Sequence, residues 1–170
     1  MSQTSSYFSK LELRCTPSAI GFARRHARQV FNEWEVPKAL SLDASTVISE
    51  LTTNAVRHAR QPVSLVKVRP GQPKVLPVYA LGLWITRTQL RVGVWDLDNR
   101  LPEPQPASLE AEGGRGLLIV DDLSKGKWGA VPVTPRGKLV WAALPLPTDY
   151  HPPYVAIISL CSKRREAVGA

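Results

Sequence analysis

The sequence has only two cysteines, Cys15 and Cys161, near opposite ends of the chain. They lack metal-ligand spacing and cannot form a disulfide framework, so a zinc module and a disulfide-stapled secreted scaffold are both disfavoured. Reduced thiols are the expectation. Long hydrophobic runs are also missing. The longest clearly apolar stretch, Val155 to Leu160, is far too short to span a bilayer. Met1 to Lys10 is polar and has no apolar h-region, so neither a secretory signal nor a membrane partner is expected, and a cytoplasmic location follows. Acidic residues are the scarcer sign, 14 against 22 Lys plus Arg, for a net charge of +8. That balance suits nucleotides, acidic proteins or nucleic acid, although a solvated basic surface accounts for it as simply. No basic stripe interleaves with aromatics, and the longest basic cluster, Lys163-Arg164-Arg165, lies near the end of the chain. Direct nucleic-acid binding is therefore disfavoured. There is no internal repeat, and no glycine-rich turn ends in the Gly-Lys-Ser/Thr of a Walker motif.

What is present reads as one globular domain. The chain has 170 residues, 44% hydrophobic and 21% charged, enough to bury a sizeable core. Residues 1–9 read as a flexible arm. Lys10 to Cys15 alternates as a strand. Thr16-Pro17-Ser18 supplies a helix start with a capping hydroxyl and an early proline. Ile20, Ala23, Ala27, Val30, Phe31 and Trp34 then fall on one helical face, opposite Arg24, Arg25, Arg28 and Gln29. A second helix is predicted from about Leu42-Asp43 to Ala59, with Leu42, Val47, Ile48, Leu51, Ala55 and Val56 inward. Val63 to Arg69 alternates as a strand, and Pro70 to Pro77 breaks it. Ala80 to Thr86 and Gln89 to Trp95 form a hairpin through Arg87-Thr88. A long polar loop precedes a short helix over Gly116 to Leu123, and Lys127 to Val133 and Lys138 to Leu144 are the last strands. Hairpins with clustered helices imply an α+β fold, a two-layer α/β sandwich with a mixed, mostly antiparallel sheet and about three helices on one face. Residues 147–170 read as a proline-containing basic tail.

Three groups of residues could carry chemistry. Glu50, Asn54 and His58 are spaced four apart and line one stripe of the second helix. The amide oxygen of Asn54 can ligate a hard cation such as Mg²⁺. A carboxylate one turn away can orient or deprotonate a hydroxyl. By spacing alone, a polar solvent-facing stripe explains the same pattern. Asp96 ends an apolar strand beside the long loop, where it can accept a hydrogen bond from an exocyclic amine, or can simply be a turn aspartate. Gly113-Gly114-Arg115-Gly116-Leu117 opens the last helix. Its glycines let backbone N–H groups approach a phosphate, with Arg115 as an added donor, or they form a plain hinge.

The order of these groups resembles the GHKL ATPases, the gyrase, heat-shock chaperone, histidine kinase and mismatch-repair group with its Bergerat-type fold. Glu50 and Asn54 resemble that family's N-box, and Asp96 its adenine-binding aspartate. Residues 97–112 look like its lid and Gly113 to Gly116 like its second glycine box. Gly137-Lys138-Leu139-Val140-Trp141 looks like its closing strand, and Trp128-Gly129 fits the small stand-alone bacterial members. Over residues 10–146 the chain is thus similar to anti-sigma-factor serine/threonine kinases. The resemblance implies ATP and Mg²⁺ as cofactors and Glu50 as the catalytic residue. It implies Asn54 as the metal ligand, and Asn54, Arg57, His58, Asp96, Gly113, Gly114, Arg115, Gly116 and Leu117 as cofactor-binding residues. The partners it implies are an anti-anti-sigma antagonist and a sigma factor, and it allows a homodimer.

Departures from the family pattern are specific. Glycines two and four places after the adenine aspartate are replaced by Asp98 and Arg100. Lys138 stands where a hydroxyl residue often follows the closing glycine, and Pro70 to Pro77 looks like an insertion. A kinase is therefore weighed against a non-catalytic nucleotide-binding switch. A histidine kinase is disfavoured because no dimerisation helix with a phospho-acceptor histidine precedes the domain.

Overall fold

In a computed structural model, residues 7–58, 77–102 and 115–153 are described. The elements run β1 (Tyr7–Arg14), α1 (Pro17–Glu33), α2 (Lys38–His58), β2 (Val78–Ile85), β3 (Gln89–Asp96), α3 (Arg115–Ser124), β4 (Trp128–Pro132) and β5 (Lys138–Pro145). Five strands form one sheet in the order β1-β2-β3-β5-β4. Every pairing among the described residues is antiparallel, so no parallel pair is found of the kind a mixed sheet would contain. The expected strand over Val63–Arg69 and the expected insertion over Pro70–Pro77, apart from Pro77 itself, lie outside the described residues.

Alternation on the strands sends Leu81 and Leu83 of β2, Val92 and Val94 of β3, and Ala142 and Leu144 of β5 into a single core. The helices cover that face with α2 in the middle, packed against α1, α3 and β3. The result is the expected α+β sandwich.

Local differences from the sequence reading have physical causes. The α2 helix starts at Lys38, directly after Pro37, so its buried stripe includes Leu40 and Ala44 as well as Val47, Ile48 and Leu51. Leu42 falls off that stripe and is 61% exposed. Thr16 has the extended conformation of an N-cap but makes no side-chain capping bond, because its hydroxyl pairs with that of Ser18 at 3.1 Å. The α1 helix closes with Val36 N–H donating to the Phe31 carbonyl at 2.9 Å and Glu35 at φ 53, an arrangement found more often with glycine.

The β1 strand begins at Tyr7, inside the segment read as an arm. Tyr7 is buried, with its ring edge-on to Trp34 at 5.8 Å between centroids. Part of the stretch read as a tail also docks on the domain: Tyr150 donates its hydroxyl to the Trp34 carbonyl at 2.6 Å, and Tyr7 donates to the Pro153 carbonyl. Prolines hide such anchoring from a periodicity reading. Among the described residues, no helix is long and apolar enough to cross a membrane.

Candidate functional site

The C-terminal half of α2, the end of β3, the start of α3 and the start of β5 surround a cavity of about 940 Å³. That volume is within the usual range for a small-molecule site. The apolar stripe of α2 packs on the sheet and α1, which turns the adjacent stripe of Glu50, Asn54 and His58 toward this space. Glu50 and Asn54 are half-buried on its wall, while Arg57 and His58 stand exposed at its rim. Their position in the last turn of α2 also suits the negative end of the helix dipole.

Glu50 meets the opening of α3 closely. A Cβ added at Gly116 would sit 2.6 Å from Glu50 Oε2, so only a glycine lets the carboxylate lie there unshifted. Arg115, Gly116 and Leu117 all line the cavity, whereas Gly113 and Gly114 lie outside the described residues. So do residues 103–112 of the expected lid. Its first part is described, and there Asp98 and Arg100 form an ion pair at 3.0 Å. That pair is largely exposed on the arginine side and holds little energy.

Asp96 differs most from a plain turn aspartate. It is 2% exposed and pairs across strands with Lys138, which is 5% exposed. Lys138 Nζ donates to Asp96 Oδ1 at 3.0 Å and to the Asp98 carbonyl at 3.1 Å, and lies 3.4 Å from Asp98 Oδ2. The Asp98 backbone N–H also donates to Asp96 Oδ1, at 2.8 Å. Every buried polar side-chain atom among the described residues has a hydrogen-bond partner. Asp96 Oδ2 accepts none of the bonds found among the described residues, so it is the oxygen left for a ligand in the cavity that Asp96 lines.

Burial pushes the Asp96 carboxyl above the usual carboxylate range, opposed by the Lys138 hydrogen bond, the Asp98 N–H and the Lys138 charge. Burial also acts upward on Asp98, but there the Arg100 hydrogen bonds and the Lys138 and Arg100 charges prevail and hold it below the usual range. The Cys15 thiol is pushed up to about 11, first by burial and then by the charge of Asp96.

A turn fixes this corner. Gly137 has φ +102, and a Cβ there would lie 2.1 Å from the Asp96 carbonyl oxygen. Its N–H donates to Asn99 Oδ1 at 2.7 Å. Glycine is thus required both for the backbone angle and for the approach of β5 to the end of β3. The sequence places Lys138 in the closing strand and marks it as a departure, but not as a partner of Asp96. Its pairing with Asp96 depends on strand register, and the available signal was a lysine directly after the closing glycine of a strand.

The groups can together take an anionic, amine-bearing ligand. A carboxylate oxygen faces the cavity from β3, glycine and arginine open α3 on another side, and a carboxylate and an amide stand one helical turn apart on the wall between them. Among the described residues, no cluster of three or more His, Cys, Asp or Glu side chains could hold a metal by itself. An ion here would need ligands from a bound molecule as well as from the protein.

No curated protein matches the chain in a sequence search. The family model described as a histidine kinase-like ATPase domain matches residues 13–143. That span runs from β1 to β5 and includes the whole cavity, and the chain belongs to the histidine kinase-like ATPase domain family, as an ATP-binding protein of the GHKL type.

Proposed function

We propose that this protein is a serine/threonine protein kinase that uses ATP to phosphorylate an anti-anti-sigma partner, and so switches a sigma factor between partners in the cytoplasm. The observation that carries the reading is the position of Glu50. Its carboxylate lies on the cavity wall one turn before Asn54, with Oε2 against Gly116 at the start of α3.

Asp96 Oδ2 would accept the exocyclic amine of adenine, and the α3 opening with Arg115 would meet the phosphates. Asn54 would hold Mg²⁺ together with the phosphates. When bound, that ion neutralises the charge that develops on the transferred group. Glu50 takes the proton of the acceptor serine as its oxygen bonds to the γ-phosphorus and the bond to the departing ADP oxygen breaks. Few protein groups are needed, because this chemistry depends mostly on positioning.

A second reading has its own support. Asp98 and Arg100 stand where the resemblance expects glycines, and they are tied to each other by the 3.0 Å ion pair. A mouth altered in this way suits a module that holds nucleotide and exchanges partners without turnover.

Labelled ATP with Mg²⁺ and candidate antagonist proteins separates the two. A kinase labels its cognate antagonist on serine or threonine, and Glu50→Gln keeps ATP binding while losing about 10²–10⁴-fold in rate. A wild-type protein that binds ATP tightly and labels no cognate antagonist is the switch.

A further inference from the structure

We propose that Lys138 is the positioning residue that sets the base preference of this site: it holds Asp96 so that one fixed carboxylate oxygen, an acceptor only, meets the ligand's base. The inference rests on the nucleotide-binding reading given above.

The geometry carries it. An ammonium has three N–H donors. Lys138 donates two of them, to Asp96 Oδ1 at 3.0 Å and to the Asp98 carbonyl at 3.1 Å, and its Nζ lies 3.4 Å from Asp98 Oδ2 in an ion pair. The ammonium is thereby held among three oxygens at the end of β3. Asp96 Oδ1 already accepts from Lys138 and from the Asp98 N–H, which leaves Oδ2 as the oxygen for a ligand in the cavity. A 6-amino purine offers an N–H to that oxygen. A 6-oxo purine offers a lone pair against a negative charge and is rejected.

The unusual pair Asp98 and Lys138 thereby has a joint explanation. Asp98 contributes a carbonyl acceptor and a nearby carboxylate charge to the same ammonium, where a glycine would supply the carbonyl alone. Without Lys138, Asp96 would be a buried carboxylate with no cation in contact. Such a group tends to take up a proton. It would then become a donor, and the preference for an amine would be lost.

Other charged groups face the same space. They are Asp98 and Arg100 from the loop after β3, Glu50, Arg57 and His58 from α2, and Arg115 from α3. Directly after β1, the Cys15 thiol senses the charge of Asp96. All of these remain in a Lys138 variant, so the informative quantity is the difference between its pH profile and that of wild type.

The test is calorimetric titration of wild type and Lys138→Met with ATP and with inosine triphosphate between pH 6 and 8. Wild type should prefer ATP by at least about tenfold across the range, the value of a hydrogen bond to a charged group. Lys138→Met should keep the preference at high pH and lose it as the pH falls, by up to about tenfold per unit for one coupled proton. A variant whose ATP-to-inosine preference matches wild type at every pH overturns the proposal, because a merely structural lysine would lower both affinities and leave their ratio alone. A wild type that binds both nucleotides equally also overturns it. A wild type that binds neither overturns the nucleotide reading itself.

Should Lys138→Met fail to fold, Asp96→Asn serves, because it keeps the lysine in place. Lys138 and the Asp98 N–H would hold the amide oxygen at the Oδ1 position and turn the NH₂ toward the cavity. The preference should then reverse toward inosine triphosphate. An Asp96→Asn protein that still prefers ATP overturns the proposal.

Discussion

Replacing Gly116 with alanine separates stability from chemistry at one carbon atom. Gly116 is the second residue of α3, and the three atoms nearest to an added Cβ all belong to Glu50: Oε2 at 2.6 Å, Cδ at 3.5 Å and Cβ at 3.7 Å. The last two are ordinary contacts, so only the carboxylate end has to move, and it sits at the tip of a flexible side chain. Restoring van der Waals contact displaces it by roughly 1 Å, and a misplacement of that size costs on the order of 10²-fold in rate. Alanine in place of a helical glycine gains about 0.5–1 kcal/mol, which for a chain of this size raises Tm by about 1–4 °C. Gly116→Ala should therefore melt no lower than wild type, bind ATP, and transfer phosphate about 10²-fold more slowly under single-turnover conditions. Transfer within twofold of wild type would refute the idea that the α3 opening positions Glu50. A Tm several degrees lower would refute the claim that the carboxylate can yield.

Other substitutions test the remaining parts of the site. Asp96→Asn should weaken ATP by about 1.5–3 kcal/mol, the value of a hydrogen bond to a charged acceptor, read by calorimetry. Because Asp96 is buried against Lys138, it should also lower stability, by less than the about 3–5 kcal/mol of a fully broken buried pair, since Lys138 keeps its contacts with Asp98. Gly137→Ala places a Cβ 2.1 Å from backbone at φ +102. It should cost at least about 1–3 kcal/mol in urea unfolding and loosen nucleotide binding with it. Asn54→Ala should leave helicity intact by circular dichroism, since alanine favours helix, while the Mg²⁺ dependence of ATP binding disappears.

Much of the fold could be read locally. The i, i+4 spacing of Glu50, Asn54 and His58 alone places them on one stripe, and the cavity lies along that stripe. The apolar run from Leu90 to Trp95 ending in Asp96 marked both β3 and the acidic group at its end. What stayed hidden depends on register and distant packing. Asp96 and Lys138 are 42 residues apart and meet only because β3 and β5 pair in one alignment. Leu42 looked like core because it is apolar, but a helix starting at Lys38 turns it outward. Tyr7 and Tyr150 lie in polar or proline-containing stretches without periodicity, and they dock at Trp34, the one through its ring and the other through a hydroxyl bond to the Trp34 carbonyl.

The most direct test is isothermal titration of the wild-type protein with ATP in the presence of Mg²⁺. A cavity with Asp96 Oδ2 at one side and the α3 opening at another predicts saturable binding of one ATP per chain, displaced by ADP. Titration to millimolar nucleotide with no saturable heat, by a protein that melts cooperatively, would contradict it.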